Sequence, residues 1–250
     1  MAEYLGMVQL GGLYKKGKLF FKTKALKRPG ASGQEIPAMS GGLESYFLGD
    51  TPADSQQQLM WHKIQDEGNT LLVCDRNILV CVSWNDLDQQ GYISGKPIQV
   101  DGISYVCRVL TGGTAAARYQ LGEPAQNEWD RFICGAESIP GLPKPQLLDL
   151  GEKFPTAGPD RVDGNSIPSF PKNLNRPGSL EGKNSENNHF WHWEGCSSWC
   201  REKVASKVGV VCVYRGGMAS STRLFANPDS CNLTLGFRPV LELAQAARQP

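Results

Sequence analysis

Leu235-Gly236-Phe237-Arg238-Pro239-Val240-Leu241 is an apolar run entered through a glycine. It follows Tyr214-Arg215-Gly216-Gly217, the lone Arg223 and an irregular polar stretch. Immediately before the double glycine, Gly209-Val210-Val211-Cys212-Val213-Tyr214 is apolar and β-prone, so it reads as a strand. The closing run continues through Glu242-Leu243 and reads as another. Upstream lie Trp191, Trp193 and Trp199, half of the six tryptophans, behind a polar, asparagine-rich stretch at 182–188.

The middle of the chain is richer in local signals. Thr70-Leu71-Leu72-Val73-Cys74 and Ile78-Leu79-Val80-Cys81-Val82 read as two strands joined tightly through Asp75-Arg76-Asn77. Ser83 is placed to cap a short helix at 84–88, with Gly91 as its stop. Asp101-Gly102 between two β-prone runs predicts a two-residue hairpin, because both central residues of that turn need positive φ. Asn127 to Gly135 reads as a short capped helix. The N-terminal runs around 7–22 read as edge strands or a hairpin whose lysines protect an exposed edge. Between Pro140 and Pro177 eight prolines remove periodicity, while Leu147, Leu148, Phe154, Ile167 and Phe170 supply apolar anchors. That combination predicts an ordered insertion at 140–180 rather than a free linker.

Bulk properties narrow the function classes. Twenty-six Lys and Arg face 25 Asp and Glu, so no net field favours nucleic acid or an anionic membrane. The first residues lack a basic segment followed by a long apolar run, and no stretch is long and apolar enough to span a bilayer. Cytoplasmic synthesis without export and no membrane insertion are therefore expected. Eight cysteines in such a chain read as reduced thiols, and Cys74, Cys81, Cys107 and Cys212 in apolar runs act as small hydrophobes.

Tyr214-Arg215-Gly216-Gly217, Arg223 and the 235–241 run resemble the closing segment of the formylglycine-generating-enzyme branch of the C-type-lectin-like fold. That branch includes the variable ligand-binding proteins of diversity-generating retroelements. The resemblance covers about the last seventy residues. It implies an α+β, C-type-lectin-like domain over 66–250, preceded by an N-terminal β region over 1–65. In that frame Arg215-Gly216-Gly217 closes a strand, Arg223 sits in the next and Gly236-Phe237-Arg238 enters the last, all as scaffold. The segments around Cys74-Asp75-Arg76-Asn77 and Val82-Ser83-Trp84 look like phage-related proteins of Gram-positive bacteria, which implies a virion or tail setting.

The functional expectation is non-enzymatic recognition of a host surface protein or glycan by a phage-related particle. It needs no cofactor, and contact with other particle proteins and homo-oligomerisation stay open. Rigid aromatics dominate binding hot spots, so Trp191, His192, Trp193, Trp199, Met218, Phe225 and Asn227 form the expected ligand surface. Core packing of some of these tryptophans is the competing reading. His189, His192, Cys196 and Cys200 are all metal-ligating types, but their spacing matches no standard zinc motif. Two other functions stay open. The first is a formylglycine-type oxidase, whose cysteine pair is missing because only Cys231 lies between Gly217 and Gly236. The second is a structural particle component that oligomerises through the N-terminal strands.

Overall fold

A computed structural model describes residues 2–20, 36–114, 127–143, 186–206, 209–217, 220 and 222–243. The strands follow in chain order. They are β1 (Glu3–Gln9), β2 (Gly12–Lys15), β3 (Lys18–Leu19), β4 (Tyr46–Gly49), β5 (Met60–Asp66), β6 (Asn69–Cys74), β7 (Leu79–Val80), β8 (Lys96–Val100) and β9 (Ile103–Val109). After them come β10 (Ser197–Ser206), β11 (Gly209–Gly216), β12 (Arg223–Ala226), β13 (Leu235–Phe237) and β14 (Pro239–Leu243). Two short α-helices, α1 (Trp84–Gln89) and α2 (Glu186–Trp191), and a π-helical turn at Trp129–Ile133 complete the regular structure that matters here.

Three sheets result. The largest runs β1-β5-β6-β14-β9-β8 with every pair antiparallel. The second runs β12-β11-β10-β13-β7, where β10 and β13 are parallel, and the third is β3-β2-β4. Strand accounts for 46% of the structure and helix for 14%, which makes this a β protein and overturns the α+β class expected from the sequence. The helices are too short to form a layer of their own, and no finding identifies the lectin-like frame.

Local chemistry explains the elements that the sequence announced. The Asp101-Gly102 turn takes φ of 53° and 75° between β8 and β9, as its residue types demand. Ser83 caps α1 in a full capping box, its hydroxyl accepting from the Asp86 N–H while the Asp86 carboxylate accepts from the Ser83 N–H. Asn127 accepts the Asp130 N–H at 2.9 Å and starts the π-helical turn. Of the insertion expected at 140–180, residues 144–180 lie outside the described residues.

The closing run does something that propensity cannot announce. Gly236 and Phe237 pair with β7 in the second sheet, and Pro239 to Leu243 pair with β9 in the largest sheet. One residue, Arg238, sits at the switch. A second crossing lies beside it: β6 ends at Cys74 in the largest sheet and β7 begins at Leu79 in the second. The two apolar runs expected to be joined tightly therefore belong to different sheets. Arg238, fully buried, clamps both crossings. It donates to the carbonyls of Cys74 at 3.3 Å and Asp75 at 3.0 Å, to Ser198 Oγ at 3.2 Å and to the His192 carbonyl at 3.4 Å. Burial lowers its pKa to about 10, so it is still cationic at neutral pH. Gly236 must be glycine here, because a Cβ would lie 2.7 Å from the Leu79 carbonyl oxygen.

The interior on the other side of this clamp is histidine-lined. His62 is fully buried and stacks on Phe190 with ring centroids 3.9 Å apart. A carbonyl only accepts, so Nε2–H donates to the Phe190 oxygen at 2.9 Å and Nδ1 accepts from the Tyr4 hydroxyl at 3.3 Å. Burial pushes the His62 pKa down to about 4, against partial support from the Phe190 carbonyl and Asp75. Burial likewise pushes His192 down to about 3, against Asp75, with Arg76, Arg238 and His62 adding to the depression. Both rings are neutral in the fold and protonate more readily once unfolded, so the unfolded chain binds more protons below pH about 6.5. Stability should be complete above that value and fall as pH drops toward 4. The His62 share amounts to about 3 kcal/mol. Urea titrations at pH 7.5, 5.5 and 4.5 measure this, and His62→Gln should flatten the upper part of the profile. A midpoint independent of pH across that range would contradict the assignment.

Candidate ligand-binding groove

The double glycine that ends β11 shapes a cleft among the described residues. Gly216 and Gly217 take φ of 83° and 86°, which side chains rarely adopt. A Cβ on Gly216 would meet the Trp129 ring and the Trp193 Cβ, each at 3.3 Å, and one on Gly217 would collide with the Ser197 hydroxyl. Bare backbone therefore lies against Ser197 at the start of β10. The Gly217 N–H donates to the Trp193 carbonyl and the Gly195 N–H to the Gly217 carbonyl, both at 2.8 Å. This backbone forms one side of a cleft of about 380 Å³.

The remaining lining comes from neighbouring strands and from the segment between β12 and β13. β11 supplies Tyr214, β12 supplies Leu224 and Ala226, and Ser230, Asn232, Thr234 and Leu235 complete the lining. Turn chemistry holds that wall. Asn227 Oδ1 accepts the Asp229 N–H, and Asn232 Oδ1 accepts both the N–H and the hydroxyl of Thr234, all between 2.8 and 2.9 Å. The Tyr214 ring meets Trp199 edge-on with centroids 5.9 Å apart, so its position is set by the core. Burial raises its phenol pKa, which keeps the hydroxyl neutral. The lining thus combines neutral hydroxyls, a carboxamide, exposed peptide groups and a small apolar floor.

Behind the cleft stands a buried ion cluster. Arg215 is 1% exposed and donates to the Thr222 carbonyl at 3.0 Å, the Gly112 carbonyl at 2.7 Å and Asp130 at 2.5 Å. Arg223 donates to the other Asp130 oxygen at 3.0 Å. Burial alone would raise the Asp130 carboxyl, but Arg215 and then Arg223 overcome it and hold the pKa below the ordinary value. The Arg215 and Arg238 guanidiniums lie 5.7 and 5.6 Å from the Trp129 ring centroid. Arg215, Arg223 and Arg238 are thus buried and bonded to groups of the interior.

The sequence-predicted ligand surface is largely corrected by burial. Trp191, Trp193 and Trp199 are each 0% exposed. Trp193 donates its indole N–H to Asn187 Oδ1 at 2.7 Å, and Trp199 to the Val82 carbonyl at 2.8 Å. Residues 186–191 are helical and His192 takes a left-handed φ of 45°. His192 is mostly buried, with Nε2 3.6 Å from Asp75, and so faces the interior cluster. Phe225 is half-buried and Asn227 is exposed at the foot of the cleft wall, while Met218 lies outside the described residues. His189 is exposed on α2. Cys196 and Cys200 are buried, and burial pushes the Cys196 thiol up to about 12 and Cys200 well above its usual value. Among the described residues no group of three or more His, Cys, Asp or Glu side chains is placed to hold a metal.

Sequence reasoning missed Tyr214, Ser197 and Thr234 as lining groups. Tyr214 carries a usable local signal, since it is the one aromatic in a strand of small apolar residues next to the glycine pair. Ser197 has none, because only the pairing of Ser197 with Gly216 across β10 and β11 brings it to the cleft. No protein-family model, curated protein or solved structure matches this chain.

Proposed function

We propose that this is a non-enzymatic binding protein whose cleft between Gly217 and Leu235 receives a neutral, hydroxyl-rich ligand, a sugar unit of a surface glycan. The observation that carries this reading is the lining itself. Ser197, Ser230 and Thr234 hydroxyls, the Tyr214 phenol and the Asn232 carboxamide offer donors and acceptors without net charge. Leu224, Ala226 and Leu235 offer apolar contact for the C–H face of a ring. At about 380 Å³ the cleft lies at the small end of the range for ligand sites, in keeping with one sugar unit rather than a long chain. A charged ligand would need a counter-charge that this lining does not offer. The phage-related setting, with a host surface as the target, is supported by the sequence resemblance.

Screening the whole protein on an array of neutral and anionic oligosaccharides tests the reading. Selective retention of neutral glycans is expected, with affinities insensitive to salt because no ion pair forms. Preference for anionic glycans, or retention of none together with tight capture of a purified host surface protein, would overturn it.

A further inference from the structure

Cys231 is exposed and Cys81 is half-buried, whereas Cys74, Cys107, Cys196, Cys200 and Cys212 are buried. The two are far apart in sequence but meet in the fold. The Cys81 N–H donates to the carbonyl of Asn232, the residue after Cys231, at 3.0 Å. That bond sets the Cys81 backbone beside the chain one residue past Cys231. Cys81 also sits just past β7 with a left-handed φ of 58°, so it ends the strand line rather than continuing it. After burial, the nearby Cys231 is what raises the Cys81 thiol pKa.

We propose that Cys81 and Cys231 are a disulfide-forming site that fastens the 227–234 wall of the cleft to the end of β7. The oxidant is a small-molecule disulfide of the glutathione type. Cys231, the accessible thiol, attacks one of its sulfurs as the thiolate, forming a mixed disulfide and expelling one thiolate that takes up the released proton. Cys81 then attacks the Cys231 sulfur, forming the protein disulfide and releasing the second small thiol. Two protein thiols are oxidised and one small disulfide is reduced to two thiols. The bond would tie Ser230, Asn232 and Thr234, the cleft's polar wall, to a strand that is itself paired with β13.

The thiol chemistry can be read without any ligand, so it stands or falls separately from the glycan reading. Native protein is incubated with oxidised glutathione, quenched in acid, unfolded, alkylated and weighed, and the linked peptides are mapped. The alkylated thiol count should fall by two from eight, with no glutathione retained and the link between Cys81 and Cys231. Cys81→Ser should instead retain one glutathione on Cys231, the trapped intermediate, and Cys231→Ser should keep all its remaining thiols. Eight alkylated thiols in the wild type, a persistent glutathione adduct, or a bond from Cys81 to Cys196 would each overturn the proposal.

Discussion

Asp130→Ala should destabilise the fold by about 3–5 kcal/mol, the cost of leaving buried guanidinium charge without its carboxylate. Asp130 is 4% exposed and is the shared anion for Arg215 and Arg223, which are 1% and 5% exposed. Removing it leaves two cations in an interior that hydrates neither. Asp130→Asn keeps the volume and one acceptor oxygen but neither the charge nor the second acceptor, so its loss should be smaller than that of alanine without vanishing. Chemical denaturation of both variants measures the difference. Because Arg215 lies directly before the double glycine, the alanine variant should also loosen the cleft. A midpoint within about 0.5 kcal/mol of wild type would mean that the cluster is hydrated and not structural.

Trp193→Ala and Trp199→Ala should each cost about 3–5 kcal/mol, the range for truncating a large aromatic in a packed core. Neither indole is exposed, and both indole N–H groups have partners. Trp193→Ala additionally strands the Asn187 carboxamide oxygen, and Trp199→Ala removes the edge that positions Tyr214. These variants separate scaffold from contact surface. Truncating a surface aromatic would weaken binding with little change in the denaturation midpoint, whereas a core indole moves the midpoint first. An unchanged midpoint accompanied by lost binding would restore the tryptophans to the recognition surface.

The parts of the fold that were legible in the sequence are those decided within a few residues. The Asp101-Gly102 hairpin, the Ser83 cap and the strand ended by Gly216-Gly217 follow from backbone conformations that only some residues adopt. Sheet membership was not legible, because 70–74 and 78–82 look alike as apolar runs. What separates them is hydrogen bonding to Leu241 on one side and to Gly236 on the other. The α+β expectation came from the resemblance of the last seventy residues, and the chain's short helices contribute too few residues to match it. Burial of the tryptophans was hidden because an aromatic-rich segment serves a core and a contact surface equally well. The cleft was half visible. Glycine pairs and Asn or Ser turns mark a loop cluster, but only the pairing of β10 with β11 and β13 brings Ser197 beside both Gly216 and Thr234.

The central claim is that the cleft and not the tryptophan segment contacts the ligand. Its most direct measurement is the affinity of a Tyr214→Phe, Ser230→Ala double variant for a neutral oligosaccharide retained on the array, determined by titration calorimetry. Both changes remove a hydroxyl while keeping the ring that packs on Trp199 and the Ser230 N–H bond to the Asn227 carbonyl. Loss of two direct hydrogen bonds should weaken binding by about tenfold or more with an unchanged melting temperature. Binding equal to wild type, from an equally stable variant, would contradict the account.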